Sequence, residues 1–129
     1  MASHQFGIPK EVIEAIRLRD GYCAYCGKKM LFPYDRTNAR DSATIEHLNF
    51  DGPLYWKDGL VAEDIVICCG SCNSSRGIKR LEDWFASAYC LERGISAESV
   101  SEAVRNYLKR KAAEPRAWER RKDKGEGRK

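Results

Sequence analysis

A chain of 129 residues with 43% hydrophobic and 33% charged side chains suits one small soluble domain with a modest core. No apolar run approaches the roughly 18 to 20 residues of a bilayer span, so no membrane partner is expected. The opening MASHQFGIPK lacks the basic-then-apolar pattern of a secretory signal, so a cytoplasmic location is the expectation.

The net charge of +4 is uneven. Residues 109 to 129 hold ten Lys and Arg against four acids, net +6, and the other 108 residues hold thirteen against fifteen, net −2. Such a tail suits a polyanion, most often nucleic acid, by counterion release. A solvated tail that only aids solubility is the alternative.

Along the chain, Pro9 opens a helix over residues 10 to 19, with Val12, Ile13, Ile16 and Leu18 as a partial apolar stripe and Gly21 as its C-cap. Cys23 and Cys26 follow in a tight turn, and residues 33 to 43 read as polar loop. Ala43 to Phe50 reads as a short strand, and Ile65, Val66 and Ile67 form a second β-branched run. Asp-Gly-Pro and Asp-Gly turns lie between them. A helix starts near Cys72 and Asn73. Leu81, Trp84, Phe85, Ala88 and Tyr89 predict one helix, and Val100, Ala103, Val104, Tyr107 and Leu108 another, after a Ser-Ala-Glu-Ser cap signal, with Gly94 between them. The domain is expected over 1–112, with a core at about 17–80 and a helical extension at 81–112. A basic, disordered tail is expected over 113–129.

Cys23-x-x-Cys26 and Cys69-x-x-Cys72 are separated by 42 residues. In a reducing compartment, matched pairs in tight turns read as metal ligands before they read as disulfides. Two turns that each aim two thiolates at one ion about 2.3 Å away complete a tetrahedral zinc site. A redox pair is the rival, but it needs one pair, not two. Cys68 and Cys90 fall outside the pattern and read as core.

The long insert between the pairs contains Glu46-His47, and Asn73 directly follows the fourth cysteine. That grouping suits phosphodiester cleavage. A neutral imidazole at His47 can deprotonate water, and a carboxylate and an amide, Glu46 and Asn73, can hold Mg²⁺ or Mn²⁺. Arg76 and Lys79, one turn apart, can hold flanking phosphates. Singly, each has a plainer reading: a half-buried histidine, a solvent-facing strand glutamate, a helix-capping asparagine.

Three segments resemble the zinc-containing HNH endonuclease family over roughly residues 17 to 80: Arg19-Asp20-Gly21-Tyr22-Cys23-Ala24-Tyr25-Cys26-Gly27, Ile45-Glu46-His47, and Asp64-Ile65-Val66-Ile67-Cys68-Cys69-Gly70-Ser71-Cys72-Asn73. The resemblance implies an α+β fold with a small ββα-metal core around a four-cysteine zinc site, flanked by an N-terminal helix and two C-terminal helices. It implies His47 as general base, Glu46 and Asn73 as ligands of the catalytic ion, and DNA as substrate, with no organic cofactor. The chain departs from the family pattern at Glu46, where Asp is usual, at Asp64, where Asn is usual, and in lacking a proline soon after the base. Asp64, if it faced His47, would raise the base's pKa and fix its tautomer. A zinc-stabilised nucleic-acid-binding module without catalysis is the alternative function.

Overall fold

The computed structural model describes residues 5–49 and 52–113. The residues after 113, where a basic tail is expected, lie outside it. The protein is a small mixed assembly of helices around a two-stranded antiparallel sheet. No described helix is long and apolar enough to cross a membrane.

Helix α1 spans Lys10–Arg19, the predicted bounds. Its C-cap is Asp20, not the expected Gly21, because the Asp20 carboxylate has work inside the fold. Asp20 is buried, takes two hydrogen bonds of 2.8 Å from Arg19, and accepts the Ile67 N–H at 3.0 Å. Arg19 also donates to the Ile65 carbonyl at 2.8 Å, so the end of α1 is tied to the second strand.

Strand β1 spans Ala43–His47 and strand β2 spans Ile65–Cys69, paired from Ala43 with Cys69 to His47 with Ile65. The expected run to Phe50 stops at His47. One further ladder bond, from Leu48 N–H to the Asp64 carbonyl, closes the pairing. β2 is buried along its whole length, as its unbroken β-branched run requires. Helix α2, Gly70–Arg76, begins directly at the end of β2, three residues earlier than a start at Asn73. Before β1, two 3₁₀ turns at Arg36–Asp41 pack on the start of α2. A side chain at Gly70 would put its Cβ 2.0 Å from the Ala39 carbonyl, so this close approach requires glycine.

The predicted helix through Leu81 and Tyr89 is two short helices, α3 at Leu81–Phe85 and α4 at Ala88–Arg93. Ser87 breaks the run by capping α4, its hydroxyl accepting the Cys90 N–H at 3.3 Å. Leu81, Trp84 and Cys90 are buried and Phe85 and Tyr89 half-buried across the break, while Ala88 is exposed. Trp84 is fully buried, packs on Tyr25 at 4.8 Å between ring centroids, and donates its indole N–H to Ser75 Oγ at 2.9 Å. Helix α5, Glu102–Ala112, is capped by Ser101, two residues beyond the expected signal. The Ser101 N–H donates to the Ala24 carbonyl at 2.8 Å and fastens α5 to the cysteine turn.

Candidate functional site

The metal-ligand cluster forms where two chain reversals meet. The first turn runs from Cys23 to Lys28, closed by Cys23 N–H to the Lys28 carbonyl and Gly27 N–H to the Cys23 carbonyl, both 2.9 Å. Gly27 has φ +80°, a left-handed conformation that glycine adopts without strain. The second is the junction of β2 and α2. Ala24 N–H donates to the Ile67 carbonyl at 3.1 Å, which sets the first turn against β2. The ligand atoms of Cys23, Cys26, Cys69 and Cys72 all lie within 4.8 Å of one another. The Cys26 and Cys69 sulfurs are 3.9 Å apart, close to the ~3.8 Å edge of a tetrahedron with zinc–sulfur bonds of about 2.3 Å.

Donors surround these sulfurs. Backbone N–H groups of Cys26 and Cys69 point at Cys23 Sγ at 3.5 and 3.3 Å, and the Cys72 N–H points at Cys69 Sγ at 3.5 Å. The Tyr89 hydroxyl donates to Cys72 Sγ at 3.3 Å. Such donors stabilise thiolates and orient them. Thiol hydrogens donated by Cys26, Cys69 and Cys72 hold the Cys23 thiol far below its ordinary range. The donor set fits a structural zinc ion. Cys68 is turned the other way, with Sγ 3.7 Å from the Thr44 hydroxyl and its thiol pushed up by burial, which leaves Cys69 as the ligand. Cys90 is buried in the core, as expected.

Glu46 and His47 are consecutive on β1, and extended backbone sends neighbouring side chains to opposite faces. Glu46 turns inward under α2. It is 5% exposed; its Oε2 accepts the Tyr25 hydroxyl at 2.7 Å and Arg76 Nη1 at 2.8 Å. Burial pushes the Glu46 carboxyl up, while Arg76 and Tyr25 pull it down. Arg76 was expected at the surface on phosphate, but it is 2% exposed. Its guanidinium donates to the carbonyls of His47 at 2.6 Å, Leu48 at 2.9 Å and Lys79 at 2.8 Å. An arginine with all these partners holds the chain beyond β1 against the end of α2 and, at this burial, is closed off from a ligand in solution. Lys79 remains at the surface, donating to the Ser75 carbonyl at 3.3 Å.

Asn73 does approach β1, but through its amide N–H groups. They donate to Thr44 Oγ1 at 2.9 Å and to the Ile45 carbonyl at 3.3 Å. Glu46 already serves a buried cation, and Asn73 faces a different part of the strand. The pair as arranged does not fit a divalent ion. Asp64, which would act on the base only if it faced His47, accepts from Arg110 Nη1 at 3.2 Å, on the side where α5 packs.

His47 is half-buried on the other face of β1. Its Nε2 lies 3.0 Å from the Leu54 carbonyl. A carbonyl oxygen only accepts, so Nε2 carries the hydrogen and the neutral ring has its lone pair on Nδ1. Burial lowers the His47 pKa from the ordinary 6.5, the Leu54 bond opposes this, and Arg76 adds to the lowering. The ring is therefore neutral at pH 7. Leu54 is brought round by a loop that Asn49 pins, its amide donating to the Pro53 carbonyl at 3.1 Å. Phe6 packs perpendicular to the imidazole, 4.2 Å between centroids, and Tyr55 packs on Phe6.

Residues that sequence reasoning missed are Tyr25, Leu54 and Phe6. A buried tyrosine inside a cysteine turn was a usable signal; a backbone carbonyl and a ring from the loose-looking N-terminus left none. Comparison of the chain with family models, with curated proteins and with solved structures found no match in any of the three.

Proposed function

We propose that the protein hydrolyses phosphodiester bonds of DNA on a zinc-stabilised scaffold of the HNH type, with His47 as general base. The observation that carries this reading is the state of His47: a neutral imidazole whose Nε2–H is spent on the Leu54 carbonyl, which leaves Nδ1 as the proton acceptor. The order β1, β2, α2 around four cysteines fit for zinc supports it, as does the match of His47 to the position of the base that the resemblance names.

In the step, Nδ1 takes a proton from water as the water oxygen bonds to phosphorus. The bond from phosphorus to the leaving oxygen breaks, and that oxygen takes a proton from solvent. Lys79, exposed just beyond the end of α2, can meet a phosphate. Glu46 and Asn73 are given no part in holding a metal in this proposal.

A second reading, a zinc-stabilised nucleic-acid-binding module without catalysis, is favoured by the engagement of Glu46 with Arg76. Cleavage of supercoiled plasmid by zinc-loaded protein and by its His47→Ala variant separates the two. Mg²⁺ and Mn²⁺ are added in turn beside a chelator control. Nicked or linear product from the parent alone supports the nuclease. No product, with DNA still bound, supports the binding module. Equal cleavage by both removes His47 from the mechanism.

A further inference from the structure

Phe6 is the only residue other than glycine with positive φ among the described residues, at φ 60° and ψ 18°. The left-handed region is costly for a residue with a Cβ and persists only where the surroundings over-determine it. Here they do. Ile8, two residues on, is fully buried, and the Pro9 carbonyl accepts the Val12 and Ile13 N–H groups that start α1. On the other side the Gln5–Gly7 turn rests on the loop that carries Tyr55 and Trp56, with a Cβ at Gly7 only 3.9 Å from Trp56.

The strained turn places one side chain, and that ring meets His47. Relaxing Phe6 to negative φ would redirect its Cα–Cβ bond and carry the ring off the imidazole. The ring contact and the Leu54 hydrogen bond act on different parts of the imidazole. Leu54 anchors Nε2, and Phe6 stands perpendicular to the ring plane, blocking rotation about the side-chain bonds. Among the described residues, Nδ1 makes no hydrogen bond.

We propose that Phe6 is the positioning residue of the His47 site: its ring, held by a left-handed turn, closes one side of the imidazole so that Nδ1 alone is presented to a water. This rests on the reading of His47 as a general base. The strain is thus spent on holding the base in one rotamer, the one in which the Leu54 carbonyl fixes the tautomer. The charged group that bears on His47 is Arg76, through the His47 carbonyl. Changing Phe6 leaves the Arg76 bond to the His47 carbonyl in place.

The chain has two histidines, His4 and His47, so a nitrogen NMR titration resolves them, with His47→Gln for assignment. The zinc-loaded full chain is compared with Phe6→Ala, Phe6→Leu and Phe6→Tyr, zinc content and circular dichroism being checked in each. The expected result in Phe6→Ala is a His47 pKa raised toward 6.5 and nitrogen shifts that move from one tautomer toward a mixture. Phe6→Tyr should retain both, and Phe6→Leu should fall between. The acidic limb of the cleavage profile should move up with the pKa, and kcat should drop by up to about 10²-fold in Phe6→Ala. An unchanged His47 pKa and tautomer in Phe6→Ala overturn the proposal; if that variant does not fold, the same result in Phe6→Leu does so. These spectra need no turnover. If His47→Ala cleaves as well as the parent, the nuclease reading fails while the placement of the ring by Phe6 is judged separately.

Discussion

Replacing Arg76 by methionine tests the centre of the fold. The substitution keeps an unbranched stem and removes a guanidinium that is 2% exposed. Glu46 then keeps only the Tyr25 hydroxyl, and the carbonyls of His47, Leu48 and Lys79 lose their donors. Removing one partner of a buried ion pair costs about 3–5 kcal/mol because the other charge is stranded. The unpaired carbonyls add to this, at about 1–3 kcal/mol for each that water cannot reach. A domain of this kind has about 5–15 kcal/mol in total, so Arg76→Met should stand near the edge of folding. With a urea slope of about 1.5 kcal/mol/M, a loss of 3–5 kcal/mol lowers the midpoint by about 2–3 M. Urea titration of the zinc-loaded protein at fixed free zinc measures it. Glu46→Gln added to Arg76→Met should recover part of the loss, because a neutral amide strands no charge. Lys10→Met, which breaks only an exposed pair with Glu14 at 4.0 Å, should change stability by about 0.5 kcal/mol or less. A cost under about 1 kcal/mol for Arg76→Met would refute the reasoning, since it would mean that Glu46 is solvated or held by something else.

Zinc content should be near one per chain, and a strong chelator or Cys72→Ser should abolish cooperative unfolding, because binding free energy at such a site is folding free energy; metal analysis and calorimetry check this. The lowered His47 pKa has a definite sign. Above the ordinary 6.5 both folded and unfolded states keep the ring neutral, so it contributes nothing there. As pH falls below 6.5 the unfolded chain takes the proton first, so stability should decline, and His47→Gln should flatten that part of the profile in urea titrations at stepped pH. Cleavage should accordingly rise through a pKa below 6.5 and be level by pH 7. Gly70→Ala should cost about 1–3 kcal/mol, because its Cβ would lie 2.0 Å from the Ala39 carbonyl; a neutral result in thermal unfolding would mean that the Arg36–Asp41 segment shifts freely. Deleting residues 112–129 should weaken DNA binding and flatten its salt dependence, and an unchanged slope in anisotropy titrations would remove the tail from the interface.

How much of the site was legible depended on the range of the interaction that decides each residue. The four cysteines could be read because each pair is a local turn, and tetrahedral zinc chemistry relates the two pairs without knowledge of the path between them. The β-branched run at Ile65 to Ile67 and the apolar stripe of α1 were equally local. The break at Ser87 was missed because α3 and α4 keep apolar spacing across it, and only the cap hydrogen bond reveals the new helix start.

What the sequence by itself determined is the four-cysteine cluster that can hold a metal, the order of strand, strand and helix, and a histidine beside a carboxylate at the end of the first strand. The fate of those two side chains was decided only by tertiary structure. Glu46 became interior because Arg76, thirty residues later, turns inward with α2 and supplies the one cation that makes its burial tolerable. His47 became a neutral ring whose one hydrogen bond among the described residues is through Nε2, because a loop carbonyl and a ring from the N-terminal turn meet it on the opposite face. A charged residue in a sequence reads as surface by default, and only the folded chain shows which charges have been paired and taken inside.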